Sequence, residues 1–283
     1  MLRIESITKL DATALAPYRT MRRPVEHERQ GIFVAEGGHV VRRLLESPLP
    51  VVSVLLSPTW LRALQPELTA RTETIAVFVA PEAALAELVG FRLHQGVMAV
   101  GQVPPSPALD AALDAAPQPR LAVALDGVTN PENVGVILRT AASFEAAAVL
   151  VGETGASPWL RRAVRNSMGT VFRLALPGVE SLRTSLHVLR EQGFKLIAAT
   201  PTGRPVWECD LGGACCVVLG HEGYGLRPEV EAACDLAAAI PMPPGVDSLN
   251  VASAAAVLLY EVRRQQRSCH GFDPVAGSVA AGS

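Results

Sequence analysis

Three short stretches of this chain concentrate the side chains able to do chemistry. The first, DGVTNPENVGVILRT at 126–140, follows a buried apolar run and presents two amides, Asn130 and Asn133, and one guanidinium, Arg139. Pro131 suits the first position of a helix and Asn130 the cap before it, with Asn133 as an alternative cap. Arg139 then lies about two turns into the helix, and helical side chains lean toward the N-terminus. Gly135, four residues earlier, is expected to leave its path clear, so the guanidinium can lie back over the helix mouth. Taken alone, an arginine so placed is more often a solvent-facing one.

The second stretch is LGHEGYGL, 219–226, again after an apolar run. Its three glycines imply a backbone approached closely by something else. The order G-x-x-G-x-G is not the dinucleotide fingerprint, and no G-K-S/T follows, so nucleotide-cofactor and phosphate-loop readings both fail. Glu222 between glycines is a poor choice for a mere turn, whereas a lone loop histidine such as His221 is usually a bystander. The third stretch, IPMPPGVDSLNVA at 240–252, opens the last helical segment. Ser248 and Asn250 read equally well as caps for that helix. The run Ala252, Ser253, Ala254, Ala255, Ala256 leaves one helix side nearly bare, which permits close approach by a backbone or a ligand.

What positions these stretches is a repeated strand–helix pattern. From LAVAL (121–125) onward, apolar runs without alternation at AAVLVG, VFRLAL, KLIAAT, CCVVLG and LAAAIP are separated by helical segments. The helices are expected near 133–144, 158–168, 180–192 and 226–233, with a closing helix after 250. Such runs predict a parallel sheet covered on both faces, whose ligand site lies at the carboxyl ends of the strands. All three stretches fall there. Before them, GIFVAEG, VVRRLLES, VVSVLLS, TIAVFVA and GVMAVGQV read as a smaller α/β domain. The expected division is 1–103, a Pro/Ala-rich linker at 104–119, a second domain at 120–267 and a frayed tail at 268–283.

Composition excludes several broad classes. With 49% apolar and 18% charged residues in a chain of 283, a large core is available and global disorder is not expected. A net charge of −2 argues against nucleic-acid binding by bulk charge, though not against a local basic patch. Lys9 and Lys195 are the only lysines, so positive charge is carried by arginine, a bias that GC-rich coding would equally produce. Five cysteines without C-x-x-C spacing suggest neither a disulfide framework nor zinc, and no metal is expected. No signal-like segment or membrane-length apolar run is present, so a cytoplasmic protein without a membrane partner is expected.

In order, N-P-E-N-V-G-x-x-x-R-T, G-H-E-G-Y-G-L and I-P-M…S-L-N-V-A resemble the three motifs of the SpoU/TrmH family, RNA ribose 2′-O-methyltransferases of the SPOUT superfamily. The resemblance covers roughly 121–265, and RRAVRNSMGTVFRLAL between the motifs also fits. The stretch from Arg23 to Gly37, ending GIFVAEG, resembles the family's accessory domain. It implies an α/β fold with a C-terminal trefoil-knotted methyltransferase domain on a parallel sheet, an exception to the rule that chains avoid knots. A small N-terminal, ribosomal-protein-like α/β domain would bind substrate. A homodimer and S-adenosylmethionine held in the knot are implied too.

By position the resemblance assigns the cofactor to Gly220, Ile240 and Leu249, with Met242 and Ala252 as neighbours, largely through main-chain groups. It places Arg139 at the acceptor hydroxyl, sometimes as a literal base. A guanidinium in a protein holds its proton, so charge stabilisation and phosphate holding suit it better. Asn133 would position the ribose or Arg139, Glu222 would orient Arg139 electrostatically, and Ser248 and Asn250 would fix loop and substrate. His221 departs from the small polar residue common in the family, which leaves a part in proton removal open. RNA would be gathered by two basic groups, Arg19, Arg22 and Arg23 near the N-terminus, and Arg161, Arg162, Arg165 and Arg173 within 154–179, a stretch free of acidic residues. The expected target is 23S ribosomal RNA. The alternatives are transfer RNA, a catalytically silent RNA-binding or ribosome-assembly protein, and an antibiotic-resistance version of the same chemistry.

Overall fold

In the computed structural model, residues 2–7, 9–90, 95–245 and 248–270 are described. Within them the chain forms two compact units. One comprises Met1–Ser106, Thr129–Arg139 and Ala156–Leu174, the other Pro107–Val128, Thr140–Gly155 and the chain from Ala175 on.

In the first unit the apolar runs become strands β1 (Leu2–Ser6), β2 (Ile32–Glu36), β3 (Val51–Leu56), β4 (Ile75–Val79) and β5 (Val97–Gln102), in the sheet order β1-β4-β3-β5-β2. β4 runs parallel to β1 and β3, while β5 is antiparallel to β3 and β2. Four of these strands are legible in the sequence. The exception is β1, LRIES, an edge strand whose side chains are mostly exposed and so show no apolar run. Phe33 on β2 lies opposite Gly101 on β5, where an added Cβ would stand 2.5 Å from the ring. The glycine makes room for Phe33, which packs against Trp159 at 5.1 Å and Phe172 at 5.4 Å between centroids.

One expectation fails here. VFRLAL does not form a strand; Thr170–Arg173 is a single 3₁₀ turn entered through Met168 and Gly169, both at positive φ. A strand would send the adjacent Val171 and Phe172 to opposite faces. In the tighter turn both are buried. The basic group at 161–165 is ion-paired within this unit. Arg161 and Arg165, on the helix Arg161–Asn166, pair with the buried carboxylate of Glu36 at the end of β2, Arg165 at 3.1 Å, and Arg162 lies 3.6 Å from Glu132. The acidic-free stretch 154–179 gave no sign of these partners because both carboxylates come from elsewhere in the chain. Glu36→Ala is expected to destabilise the first unit by about 3 kcal/mol, the low end for removing one partner of a buried ion pair, because Arg165 is partly solvated. Urea denaturation followed by circular dichroism measures this, and an unchanged midpoint would mean that the pair contributes nothing.

The second unit is built on β6 (Leu121–Leu125), β7 (Ala148–Val151), β8 (Lys195–Pro205), β9 (Cys215–Leu219) and β10 (Leu236–Ala239). Their order is β10-β8-β9-β6-β7 and every pairing is parallel. All residues of β6 and β9 are buried, as continuous apolar runs require. Leu182, Leu186 and Leu189, one face of the helix Leu182–Glu191, cover Ala122, Ala124, Leu150, Cys216 and Val218. Adjacent Cys215 and Cys216 are free core residues, and burial pushes the Cys215 thiol up to about 12.

Part of the expected linker is ordered. Leu109–Asp114 is a helix whose Leu109, Ala112 and Leu113, at helical spacing, pack on that same core. The closing helix, Val251–His270, is anchored by buried Arg263, which donates to the carbonyls of Phe144 (2.6 Å), Pro119 (2.9 Å) and Glu145 (2.7 Å). It carries part of the expected tail; the remainder, from 271, lies outside the described residues. Among the described residues no helix is long and apolar enough to cross a membrane, and no His/Cys/Asp/Glu cluster is able to hold a metal ion.

Candidate functional site

At the carboxyl ends of β8, β9 and β10 a cavity of about 640 Å³ opens within the second unit. That is the edge where parallel sheets bind ligands, and the volume suits a small-molecule cofactor. Thr200 and Thr202 of β8, the loop 220–226 after β9, Ile240 and Met242 after β10, and Ser248–Val251 with Ala254 and Leu258 of the closing helix line it. Of the residues singled out in the sequence, Gly220, Glu222, Ile240, Met242, Ser248, Leu249 and Asn250 therefore share one cavity. Ala252 does not line it. Ala252 is buried on the inner side of the helix, and Ala254 presents the small side chain instead, because two residues along a helix turn to different faces.

The glycine loop is closed on itself. His221 and Gly225 exchange backbone hydrogen bonds of 2.9 and 3.0 Å, with Gly225 in the left-handed region at φ +70°. A Cβ on Gly220 would stand 2.3 Å from the carbonyl carbon of Gly225 and 2.5 Å from the Leu226 nitrogen. On the side where a Cβ would stand, Gly220 is approached by the chain's own returning backbone. His221 Nδ1 accepts from the amides of Gly223 (2.8 Å) and Tyr224 (3.3 Å). Nδ1 is thus engaged within the loop itself.

Just beyond the loop, Arg227 ties three strand ends together. Its amide and Nε both donate to the carboxylate of buried Asp126, each at 2.7 Å, at the end of β6. A second guanidinium nitrogen donates to Glu153, after β7, at 2.6 Å, and Glu153 also accepts from the Leu182 amide at the start of the next helix. Burial raises the Glu153 carboxyl, but its hydrogen bonds, the Arg227 bond foremost, outweigh that and hold it below the usual carboxylate range. These residues were missed in the sequence. The only signal was an acidic residue, Asp126, directly after a fully apolar strand, where a carboxylate must find a partner.

Asn250 is the cap of the closing helix, its side-chain oxygen accepting from the Ala252 amide at 2.9 Å. The simpler reading of that residue therefore holds, and it fixes the cavity wall. Thr200 Oγ1 is buried against the cavity with no hydrogen-bond partner among the described residues. Buried hydroxyls are normally satisfied, so this one is set for a ligand. Among the described residues the lining includes Glu222 and Glu231 and no lysine or arginine, a charge pattern that favours a cationic ligand.

Asn133 and Arg139 belong to the helix Pro131–Ser143, on the stretch assigned to the first unit. Asn130 caps this helix, its Oδ1 accepting from the Glu132 amide at 2.9 Å; Asn133 is half-buried and Arg139 exposed. Gly135 does not serve to clear a path for Arg139. A Cβ there would stand 2.4 Å from the Ala163 carbonyl oxygen and 2.8 Å from Asn166 Cβ, so the glycine lets two helices touch. In the N-terminal basic group, Arg19 donates to the carbonyls of Leu10 (2.6 Å) and Ala12 (3.0 Å), Arg23 pairs with Glu26 at 3.3 Å, and Arg22 is exposed.

Residues 120–260 match the SpoU rRNA Methylase family. A Mycobacterium bovis protein bearing the name uncharacterized tRNA/rRNA methyltransferase is 33% identical over 285 residues, spanning 96% of this chain and 95% of its own. Among solved structures, the SpoU methyltransferase AviRb from Streptomyces viridochromogenes matches with a TM-score of 0.77 at 27% identity, over 91% of this chain and 99% of that one. It has also been solved in complex with AdoMet. An RNA 2′-O ribose methyltransferase matches with a TM-score of 0.75 at 27% identity, over 93% and 99% of the two chains.

Proposed function

The chain belongs to the SpoU methylase family, and from that premise we propose that it methylates a ribose 2′-hydroxyl in structured RNA, with S-adenosylmethionine as donor. RNA methylation itself follows from the family. The ribose position and 23S ribosomal RNA as target are the proposed part. The observation that carries it is the acidic cavity at the strand ends, with an unsatisfied Thr200 hydroxyl on its wall. Its residues fit an adenosyl sulfonium. Main-chain groups of Gly220, Ile240 and Leu249 and the side chain of Met242 would hold it, the Thr200 hydroxyl would satisfy one of its polar atoms, and Glu222 and Glu231 would balance its charge.

When bound, the cofactor supplies a methyl group already activated for displacement. The chain's own task is then the acceptor, whose hydroxyl hardly ionises at neutral pH. Arg139 is assigned to the neighbouring phosphate and to the negative charge that develops on the ribose oxygen. Asn133 positions the ribose or Arg139. Ser248 and Asn250 fix the 248–251 loop, Asn250 through its cap. In-line geometry and charge stabilisation, rather than a strong base, are what these residues contribute.

The same reading includes the family's knotted topology, with residues 240–250 as the loop before the closing helix, and a division into a substrate-binding part at 1–103 and a catalytic part at 120–267. An accessory N-terminal part favours ribosomal over transfer RNA, by analogy. Exposed Val257 and Tyr260 on the closing helix, with Leu249 before it, support a homodimer. A cytoplasmic location accords with an RNA substrate.

Two measurements test the function. Isothermal titration with S-adenosylmethionine is expected to show binding; no binding would favour the silent RNA-binding alternative. Mapping 2′-O-methyls in RNA from a strain lacking the gene is expected to show one ribose methyl lost. A lost base methyl with all ribose methyls intact would overturn the ribose assignment.

A further inference from the structure

Among the large apolar side chains that stand exposed, Tyr224 is the extreme at 89%, against 59% for Trp207 and 58% for Tyr260. It sits at the tip of the glycine loop, on the wall of the cavity. Leaving a phenol ring in water forgoes the free energy its burial would bring. The loop nevertheless holds it there firmly. The His221–Gly225 bonds close the loop, the Tyr224 amide is bound to His221 Nδ1, and the imidazole packs against the phenol ring at 4.8 Å between centroids, tilted by 38°. One ring face is thus backed by His221 and the other is open.

Charge and surroundings select the occupant. Glu222 and Glu231 line the cavity and, among the described residues, no lysine or arginine does, a lining that favours an uncharged base over an RNA phosphate. The ring's neighbours in sequence are Gly223 and Gly225, which supply no apolar surface around it. A protein interface builds its core from contiguous packed side chains, whereas a single pre-ordered ring is sufficient for a base. We propose that Tyr224, backed by His221, is a stacking platform for a nucleobase of the RNA substrate beside the acceptor ribose. This rests on the RNA methyltransferase reading and adds to it a residue that no part of that chemistry required. Stacking needs the ring and not its hydroxyl, and it tolerates any base.

The test compares the full-length protein with Tyr224→Ala and Tyr224→Phe, using total RNA from a strain lacking the gene as acceptor. Tyr224→Ala is expected to raise KM for that RNA by roughly 5- to 150-fold, the range for removing one base–aromatic stack. Tyr224→Phe should behave as the parent, and the affinity of both variants for S-adenosylmethionine, by calorimetry, should be unchanged. An unchanged KM in Tyr224→Ala overturns the platform. So does a loss of RNA affinity that appears only together with a fall in mass by light scattering, since a second copy would then be what covers the ring. If the parent protein transfers no methyl group at all, the methyltransferase reading fails by itself. Gel retardation of the same RNA then still decides the platform: weaker retardation by Tyr224→Ala supports it, and equal retardation overturns it.

Discussion

Arg139→Ala is expected to slow methyl transfer to RNA by about a hundredfold or more while leaving the affinity for S-adenosylmethionine intact. The magnitude is that of removing one donor aimed at charge that develops only in the transition state. The separation of the two effects follows from position. Arg139 is exposed on the helix Pro131–Ser143, whereas the cofactor cavity is lined by residues from 199 to 258. Its loss should leave the helix in place, because the cap at Asn130 and the close approach of Ala163 to Gly135 do not involve the guanidinium. Arg139→Lys keeps the charge and loses the planar fork, so it should recover only part of the rate. Single-turnover kinetics beside calorimetry make the comparison. Collapse of cofactor binding together with activity would remove Arg139 from the acceptor side.

Gly220→Ala is expected to weaken S-adenosylmethionine binding by about a hundredfold or more, as displacement of a binding loop by an ångström can do. The reason is steric and internal. Even one methyl group meets the Gly225 carbonyl carbon at 2.3 Å, and both partners are backbone that cannot rotate away. The loop must open, and with it the wall that carries Glu222. Gly223→Ala is the control on the same loop, since its Cβ would find nothing nearer than the His221 ring at 3.7 Å. Calorimetry on the two variants should give loss for the first and retention for the second. Equal retention would separate the cavity at the strand ends from the cofactor.

The strand–helix alternation and the position of the cavity at the strand ends were legible because they are written locally. A fully buried strand shows as an unbroken apolar run, as in LAVAL and CCVVLG, and a helix start shows as its cap, as in Asn130-Pro131. Motif order then pointed to the family, and the glycine loop and the 240–250 segment do share one cavity. The purpose of each glycine was not legible. Gly135 and Gly220 both signalled close approach, but a glycine does not say what approaches, and in each case it is the protein's own backbone.

Charge partners were not legible for a related reason. The arginines at 161–165 looked unpaired because no acidic residue lies near them in sequence, yet Glu36 reaches Arg161 across 125 positions. Asp126 and Arg227 are likewise 101 positions apart, and their pairing sets the base of the loop. Residue type and spacing thus determined which backbone elements form and which chemical groups are at hand, since turns, caps and burial periodicity depend on near neighbours. Which carboxylate meets which guanidinium, and what fills the space a missing Cβ leaves, was decided only when the sheets closed. A buried charge or a bare backbone must be satisfied by whatever the fold brings beside it.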